Sequence, residues 1–118
     1  MRDKKNIIII DDDEAIGQSL YEILKDMYTV SVFSKGAAAM ENLFEQNPDG
    51  VLLDYFLPGE NTEEIIQALR NFSDNIPIIV MSANLGLIEH KDNLRVQDFL
   101  EKPFQIDKIM HTLSKHIS

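Results

Sequence analysis

The side chains with the most chemistry in this chain stand where apolar runs stop. Ile7-Ile8-Ile9-Ile10 breaks into Asp11-Asp12-Asp13-Glu14, Val51-Leu52-Leu53 stops at Asp54, Ile78-Ile79-Val80-Met81 stops at Ser82, and Asp98-Phe99-Leu100-Glu101 runs into Lys102. A fold that brings these points together gathers carboxylates, a hydroxyl and an ammonium in one cleft. Asp11, Asp12 and Asp54 sharing a site would raise one another's pKa or demand a counter-charge. Lys102 supplies one positive charge, and a divalent cation would balance the rest. Carboxylate oxygens suit a hard ion, Mg²⁺ ahead of Mn²⁺, which keeps several waters and takes few protein ligands. Such an ion can bridge to a phosphoryl oxygen. Asp54 could then act as a carboxylate nucleophile toward phosphorus, with the ion, Lys102 and Ser82 neutralising charge on the equatorial oxygens.

Each residue also has a plainer reading. Asp11 to Asp13 could simply favour the positive end of a following helix. Asp54 could be a turn residue ahead of Pro58-Gly59, and Ser82 a helix N-cap. Lys102 could be a solvated lysine, Pro103 a helix-starting proline, and Phe99 a core residue. His90, His111 and His116 have no metal-ligand spacing with a carboxylate partner and are read as surface. What favours the chemical reading is the common position: a hydroxyl, an ammonium and two sets of acids would all lie on one sheet edge.

The elements that must position them alternate between strand and helix. Asn6 to Ile10 is a continuous apolar run, as in a strand buried on both faces of a parallel sheet. Ile16, Leu20, Ile23, Leu24 and Met27 mark one face of a first helix. Tyr28 to Phe33 is a second strand, with Ser34 as N-cap of a helix over Lys35 to Gln46 that buries Ala37, Met40, Leu43 and Phe44. After the turn Asn47-Pro48-Asp49-Gly50 comes the strand ending at Asp54. Thr62 caps a third helix carried by Ile65, Ile66, Leu69 and Phe72. Pro77 opens the fourth strand. A short helix is predicted within Leu85 to Asn93, a weak strand over Asp98 to Glu101, and a final helix on Ile106, Ile109, Met110, Leu113 and Ile117. Five such β units predict an α/β domain: a single doubly wound five-stranded parallel sheet, flavodoxin-like, with helices on both faces and order 2-1-3-4-5. In that order strands 1 and 3 are neighbours, and their carboxyl ends form the crevice where ligands bind.

The 118 residues are room for one domain, read as spanning 1–118. With no cysteine there is no disulfide framework, thiolate metal site or thiol nucleophile. A net charge of −9 argues against direct nucleic-acid binding, which requires a basic footprint. No apolar run is long enough for a membrane span and no signal-peptide pattern stands at the N-terminus, so the expected location is cytoplasmic.

"IIIIDDDEAI", "GVLLDYFLPG", "PIIVMSA" and "FLEKPF" resemble, in that order, the signature segments of the receiver domain of two-component response regulators. The resemblance covers essentially the whole chain, and the ordered set of four is specific where any one segment is weak. It implies a signalling switch in which Asp54 accepts a phosphoryl group from a phosphohistidine on a sensor histidine kinase or a histidine phosphotransfer protein. It implies Asp12 as a direct Mg²⁺ ligand, Asp11 acting largely through water, and the backbone carbonyl of Phe56 as another ligand. Lys102 would pair with the acids and then with the phosphoryl group. Ser82 and the Ala83 amide would bind a phosphoryl oxygen, and Phe99 would be the aromatic switch that turns inward with Ser82. The change would reach a downstream protein target, and a homodimer is compatible with it. Such a domain catalyses its own phosphorylation and dephosphorylation without being an enzyme in effect.

The chain departs from the family pattern in four places. Phe99 replaces the commoner tyrosine, so it brings no hydroxyl to a partner. Thr62 replaces the usual glycine, which should alter the start of the third helix and leave the chemistry alone. The stretch between Ser82 and Phe99 is short. Phe56 is apolar and cannot hold an attacking water, so a long-lived phosphoaspartate is expected. Two other readings compete. One is a haloacid-dehalogenase-like phosphohydrolase using Asp11 of an Asp-x-Asp, which would leave Asp54 without a role. The other is a degenerate receiver serving only as a binding scaffold, against which the intact acids and Lys102 argue.

Overall fold

A computed structural model of the chain describes residues 4–88 and 94–117. Strands β1 (Lys5–Ile10), β2 (Tyr28–Phe33), β3 (Gly50–Asp54), β4 (Ile78–Ser82) and β5 (Asp98–Glu101) form one sheet in the order β2-β1-β3-β4-β5. Every pairing is parallel. The helices are α1 (Glu14–Leu24), α2 (Gly36–Glu41), α3 (Leu43–Gln46), α4 (Thr62–Phe72) and α5 (Ile106–His116), with a 3-10 turn at Leu85–Leu87. The predicted fold class and strand order both hold.

Alternation along the strands divides the core. Ile8, Ile10, Val51, Leu53, Ile78 and Val80 pack with Ala39, Leu43, Ile65, Ile66 and Leu69 of α2, α3 and α4. Ile7, Ile9, Leu52, Ile79, Met81 and Leu100 pack with Leu20 and Leu24 of α1 and Ile109 and Leu113 of α5. The β1 isoleucines thus serve two cores at once, which is why that strand shows no polar alternation. Each such side chain contributes on the order of 2 kcal/mol on burial. Gly50 marks a close approach, because a β-carbon there would stand 2.1 Å from Cδ1 of Ile117.

Several sequence expectations are corrected. The helix predicted over Lys35 to Gln46 is two short helices. They are broken at Asn42, whose φ of −106° and ψ of 7° leave the helical region and whose side-chain amide donates to the Ala38 carbonyl. Ala39 faces inward where Ala37 was expected, and Phe44, past the break, is 88% exposed and edge-on to Phe72. Met27 and Ile106, predicted on buried faces, are exposed, since Met27 follows the end of α1 and Ile106 opens α5. Neither Ser34 nor Thr62 is a cap. Residue Lys35 precedes α2 without a side-chain cap bond, and Asn61 caps α4 through its Oδ1, which accepts from the Glu64 amide at 3.1 Å. Pro103 follows a cis peptide and lies ahead of α5 instead of starting it. Of the helix predicted within Leu85 to Asn93, the 3-10 turn is described; residues 89–93, His90 among them, lie outside the described residues.

Candidate functional site

Sheet register builds the site. Ile10 pairs with Leu53, so Asp11 and Asp54 come next on adjacent strands. Ser82 pairs with Glu101, so Lys102 follows, and its amide donates to the Ser82 carbonyl at 2.9 Å. Carboxylate oxygens of Asp11, Asp12 and Asp54 lie within 4.8 Å of one another. The Lys102 ammonium stands 2.8 Å from Oδ2 of Asp11 and 3.4 Å from Oδ2 of Asp54. Acids and a lysine from three strand ends far apart in sequence therefore share one rim.

Their environments differ. The Asp11 side chain is 0% exposed, and both of its oxygens are committed, Oδ1 to the Asp13 amide and Oδ2 to Lys102. Asp12 is exposed. Asp13 stands outside that cluster and caps α1, accepting from the Ala15 and Ile16 amides, so the helix-terminus reading holds for Asp13 alone among the three aspartates. Asp54 is buried; its Oδ1 accepts from the Phe56 amide at 3.3 Å. Burial and then the Asp11 charge push the Asp54 carboxyl up to about 6, against the opposing pull of Lys102. Burial works against the Lys102 charge, but the Asp11 hydrogen bond and the Asp54 and Asp11 charges outweigh it and raise the ammonium above its ordinary range. One lysine does not neutralise this many acids, and the all-oxygen donor set fits a hard divalent cation.

Ser82 is buried at the end of β4, where its Oγ accepts from the Asn84 amide at 2.9 Å; Ala83 beside it is exposed. Phe99 is half-buried against the core that contains Val80 and Ile88. Phe56 is 51% exposed and stands edge-on to Tyr55. Beside Lys102 opens a cavity of about 440 Å³ lined by Ile16, Ile23, Ala83, Pro103 and Phe104.

Sequence reasoning missed three anchoring residues. Glu60 reaches across to α2, its two oxygens accepting from the Gly36 and Ala37 amides at 2.9 and 3.0 Å. Its position after Pro58-Gly59 gives no hint of a helix 24 residues upstream. Thr62 is buried and its hydroxyl donates to the Tyr55 carbonyl. Arg70 is buried on α4, and its guanidinium donates to the carbonyls of Ile76 and Arg95 and the side-chain oxygen of Gln97. An arginine on the same helix as Ile66 and Leu69 was the available signal. His116 corrects the surface reading: it is half-buried with Nε2 2.9 Å from Oδ2 of Asp98, whereas His111 is exposed.

Comparison with known proteins places this geometry in context. A sequence model described as the response regulator receiver domain matches residues 7–114. The response regulator MprA of Mycobacterium ulcerans (strain Agy99) is 32% identical over 107 residues, which is 88% of this chain and 46% of that protein. The chain spans about half the length of the curated relatives it matches. Among solved structures, the N-terminal domain of the nisin resistance regulator NsrR superposes with a TM-score of 0.85 at 28% identity, covering 98% of this chain and 100% of that one. The response regulator TrrA of Thermotoga maritima, solved in complex with Mg(2+)-BeF, superposes with a TM-score of 0.85 at 24% identity, covering 96% and 99%. No helix among the described residues is long and apolar enough to cross a membrane.

Proposed function

This chain belongs to the response regulator receiver domain family, and we propose on that premise that Asp54 is the residue of this two-component signalling switch that takes the phosphoryl group. One observation carries the assignment: Asp54 is buried among Asp11, Asp12 and Lys102 with its Oδ2 facing the ammonium. Asp11, the nucleophile of a dehalogenase-like hydrolase, has a fully enclosed side chain 2.8 Å from Lys102, against 3.4 Å for the less enclosed Asp54, which disfavours that reading. The complete acid and lysine set likewise disfavours a scaffold that has lost its chemistry.

In the proposed reaction an Asp54 oxygen attacks the phosphorus of a phosphohistidine on a sensor histidine kinase or phosphotransfer protein. The O–P bond forms, the P–N bond breaks, and the electron pair returns to the imidazole nitrogen. Asp11, Asp12, Asp54 and the Phe56 carbonyl would hold Mg²⁺, as the Mg(2+)-BeF complex of TrrA supports, and when bound it supplies positive charge to the phosphoryl oxygens. Lys102 adds a second positive charge from the chain itself. The Ser82 hydroxyl and the Ala83 amide donate to a phosphoryl oxygen. The apolar cavity between α1 and Phe104, open beside Lys102, suits the flank of a helix presenting the phosphohistidine.

Once phosphorylated, Asp54 carries added charge and strong acceptors at one end of the sheet. Ser82 moves toward them, and Phe99 follows into the space it leaves. The output is a changed surface around β5 and α5 that binds a downstream protein or a second copy. The phosphoryl group shifts this equilibrium only by its preference for one arrangement.

Incubation with acetyl phosphate and Mg²⁺, followed by mass mapping of the adduct, tests the assignment. Label on Asp54 that is lost in Asp54→Asn is the expected result. Label on Asp11, or persistent labelling of Asp54→Asn, would overturn it.

A further inference from the structure

We infer that Thr62 is a positioning residue for Asp54, acting through the peptide unit between Tyr55 and Phe56. The inference deepens the proposed reading, since it rests on Asp54 being the phosphoryl acceptor. It also runs against the sequence expectation that the hydroxyl at this position leaves the chemistry untouched.

Thr62 opens α4 and is only 6% exposed. A buried hydroxyl needs a partner, and this one donates to the Tyr55 carbonyl, seven residues back and directly after Asp54. Helix capping does not account for it, because Asn61 already performs that task through the Glu64 amide. The Tyr55 carbonyl and the Phe56 amide belong to one rigid plane, and in the trans form they point to opposite sides. On the far side of that plane the Phe56 N–H donates to Oδ1 of Asp54 at 3.3 Å. The Tyr55 amide, one bond earlier, is fixed to the sheet through the Met81 carbonyl at 3.0 Å. The hydroxyl therefore clamps one end of a plane whose other end grips the carboxylate.

The grip matters because the terminal torsion of an aspartate is soft. With Oδ1 held by the Phe56 amide, Oδ2 stands 3.4 Å from Lys102 and the carboxylate plane is defined. Without the hydroxyl the 55–56 peptide loses this anchor, the hold of its amide on Oδ1 loosens, and Asp54 loses its fixed presentation. Glycine or alanine at this position supplies no donor.

Thr62→Val keeps the side-chain shape and removes the donor, while Thr62→Ser keeps the donor. With acetyl phosphate at saturating Mg²⁺, Thr62→Val should lower the limiting rate of Asp54 labelling about tenfold, less than the roughly hundredfold that a 1 Å misplacement of a reacting group can cost. The donor concentration for half-maximal rate should stay unchanged, and Thr62→Ser should restore the rate. In the unphosphorylated protein the Phe56 amide should exchange its hydrogen faster in Thr62→Val than in wild type or Thr62→Ser. Wild-type labelling kinetics in Thr62→Val, or failure of serine to restore them, would overturn the inference. Should Thr62→Val fail to fold, the wild-type amide decides: exchange at Phe56 as fast as in an open loop would overturn the inference, and protection shared with Thr62→Ser would support it. Absence of label on wild-type Asp54 would reject the acceptor role itself, with the Phe56 amide still reporting separately on Thr62.

Discussion

Lys102 and Asp11 join the ends of β5 and β1, two strands that are not neighbours in the sheet, through a 2.8 Å contact that crosses over β3 and β4. The lysine side chain is 15% exposed and the aspartate fully enclosed, so this is an interior pair in nearly all respects. Removing one member of such a pair leaves an uncompensated buried charge.

Lys102→Met should therefore destabilise the metal-free protein by about 3 kcal/mol at pH 7, read as a lower urea midpoint. Mg²⁺ should recover part of the loss, since it can replace the missing positive charge. A midpoint unchanged in both conditions would contradict the pairing.

Asp54 gives the pH dependence. Its carboxyl is pushed from an ordinary 3.8 up to about 6 in the folded state. Between those values the folded chain holds more protons than the unfolded one, so stability falls as pH rises through that window. Asp54→Asn removes the penalty and should stabilise the metal-free protein at pH 7 by on the order of 2 kcal/mol. The gain should vanish below about pH 4, where the wild-type carboxyl is protonated in both states. Urea titrations across that range test the sign.

Phe56, two residues past Asp54 and 51% exposed, is an apolar ring with no polar group to hold a water. Phe56→Asn offers an amide that can, and should hasten loss of the phosphoryl group about tenfold, equivalent to ~1.4 kcal/mol in the barrier. Decay of the phosphorylated form, followed by intact mass after removal of donor, measures it. An equal lifetime would count against the expectation.

Arg70 satisfies carbonyls just ahead of β4 and of β5, with bonds of 2.7 Å to Ile76 and 2.7 and 2.9 Å to Arg95. Arg70→Met leaves those oxygens unpaired and should cost about 3 kcal/mol. Hydrogen exchange should quicken at Ile78 and Gln97, which share the Gln97 side-chain oxygen with Arg70 or pair beside it.

The chain announces its sheet and the acid rim plainly. Ile10 to Asp11, Leu53 to Asp54 and Met81 to Ser82 are abrupt changes of polarity, and parallel register alone then aligns them. The helices are harder to read. Ala37 and Ala39 are identical in type, so only packing against α4 and the sheet decides that Ala39 is the buried one. Asn61 and Thr62 are both good caps and stand side by side; their roles separate only once the Tyr55 carbonyl is in place. Glu60, Arg70 and His116 all act on partners that the fold, not the chain order, brings near.

The Glu60 bonds to Gly36 and Ala37 make the turn after Asp54 and the start of α2 a single mechanical unit. A shift of that turn during phosphoryl transfer drags the edge helix with it, or else unlatches two amides into water. On the proposed reading, a change at the rim thus has a second way out, toward the β2 side of the molecule, beside the one assigned to Phe99.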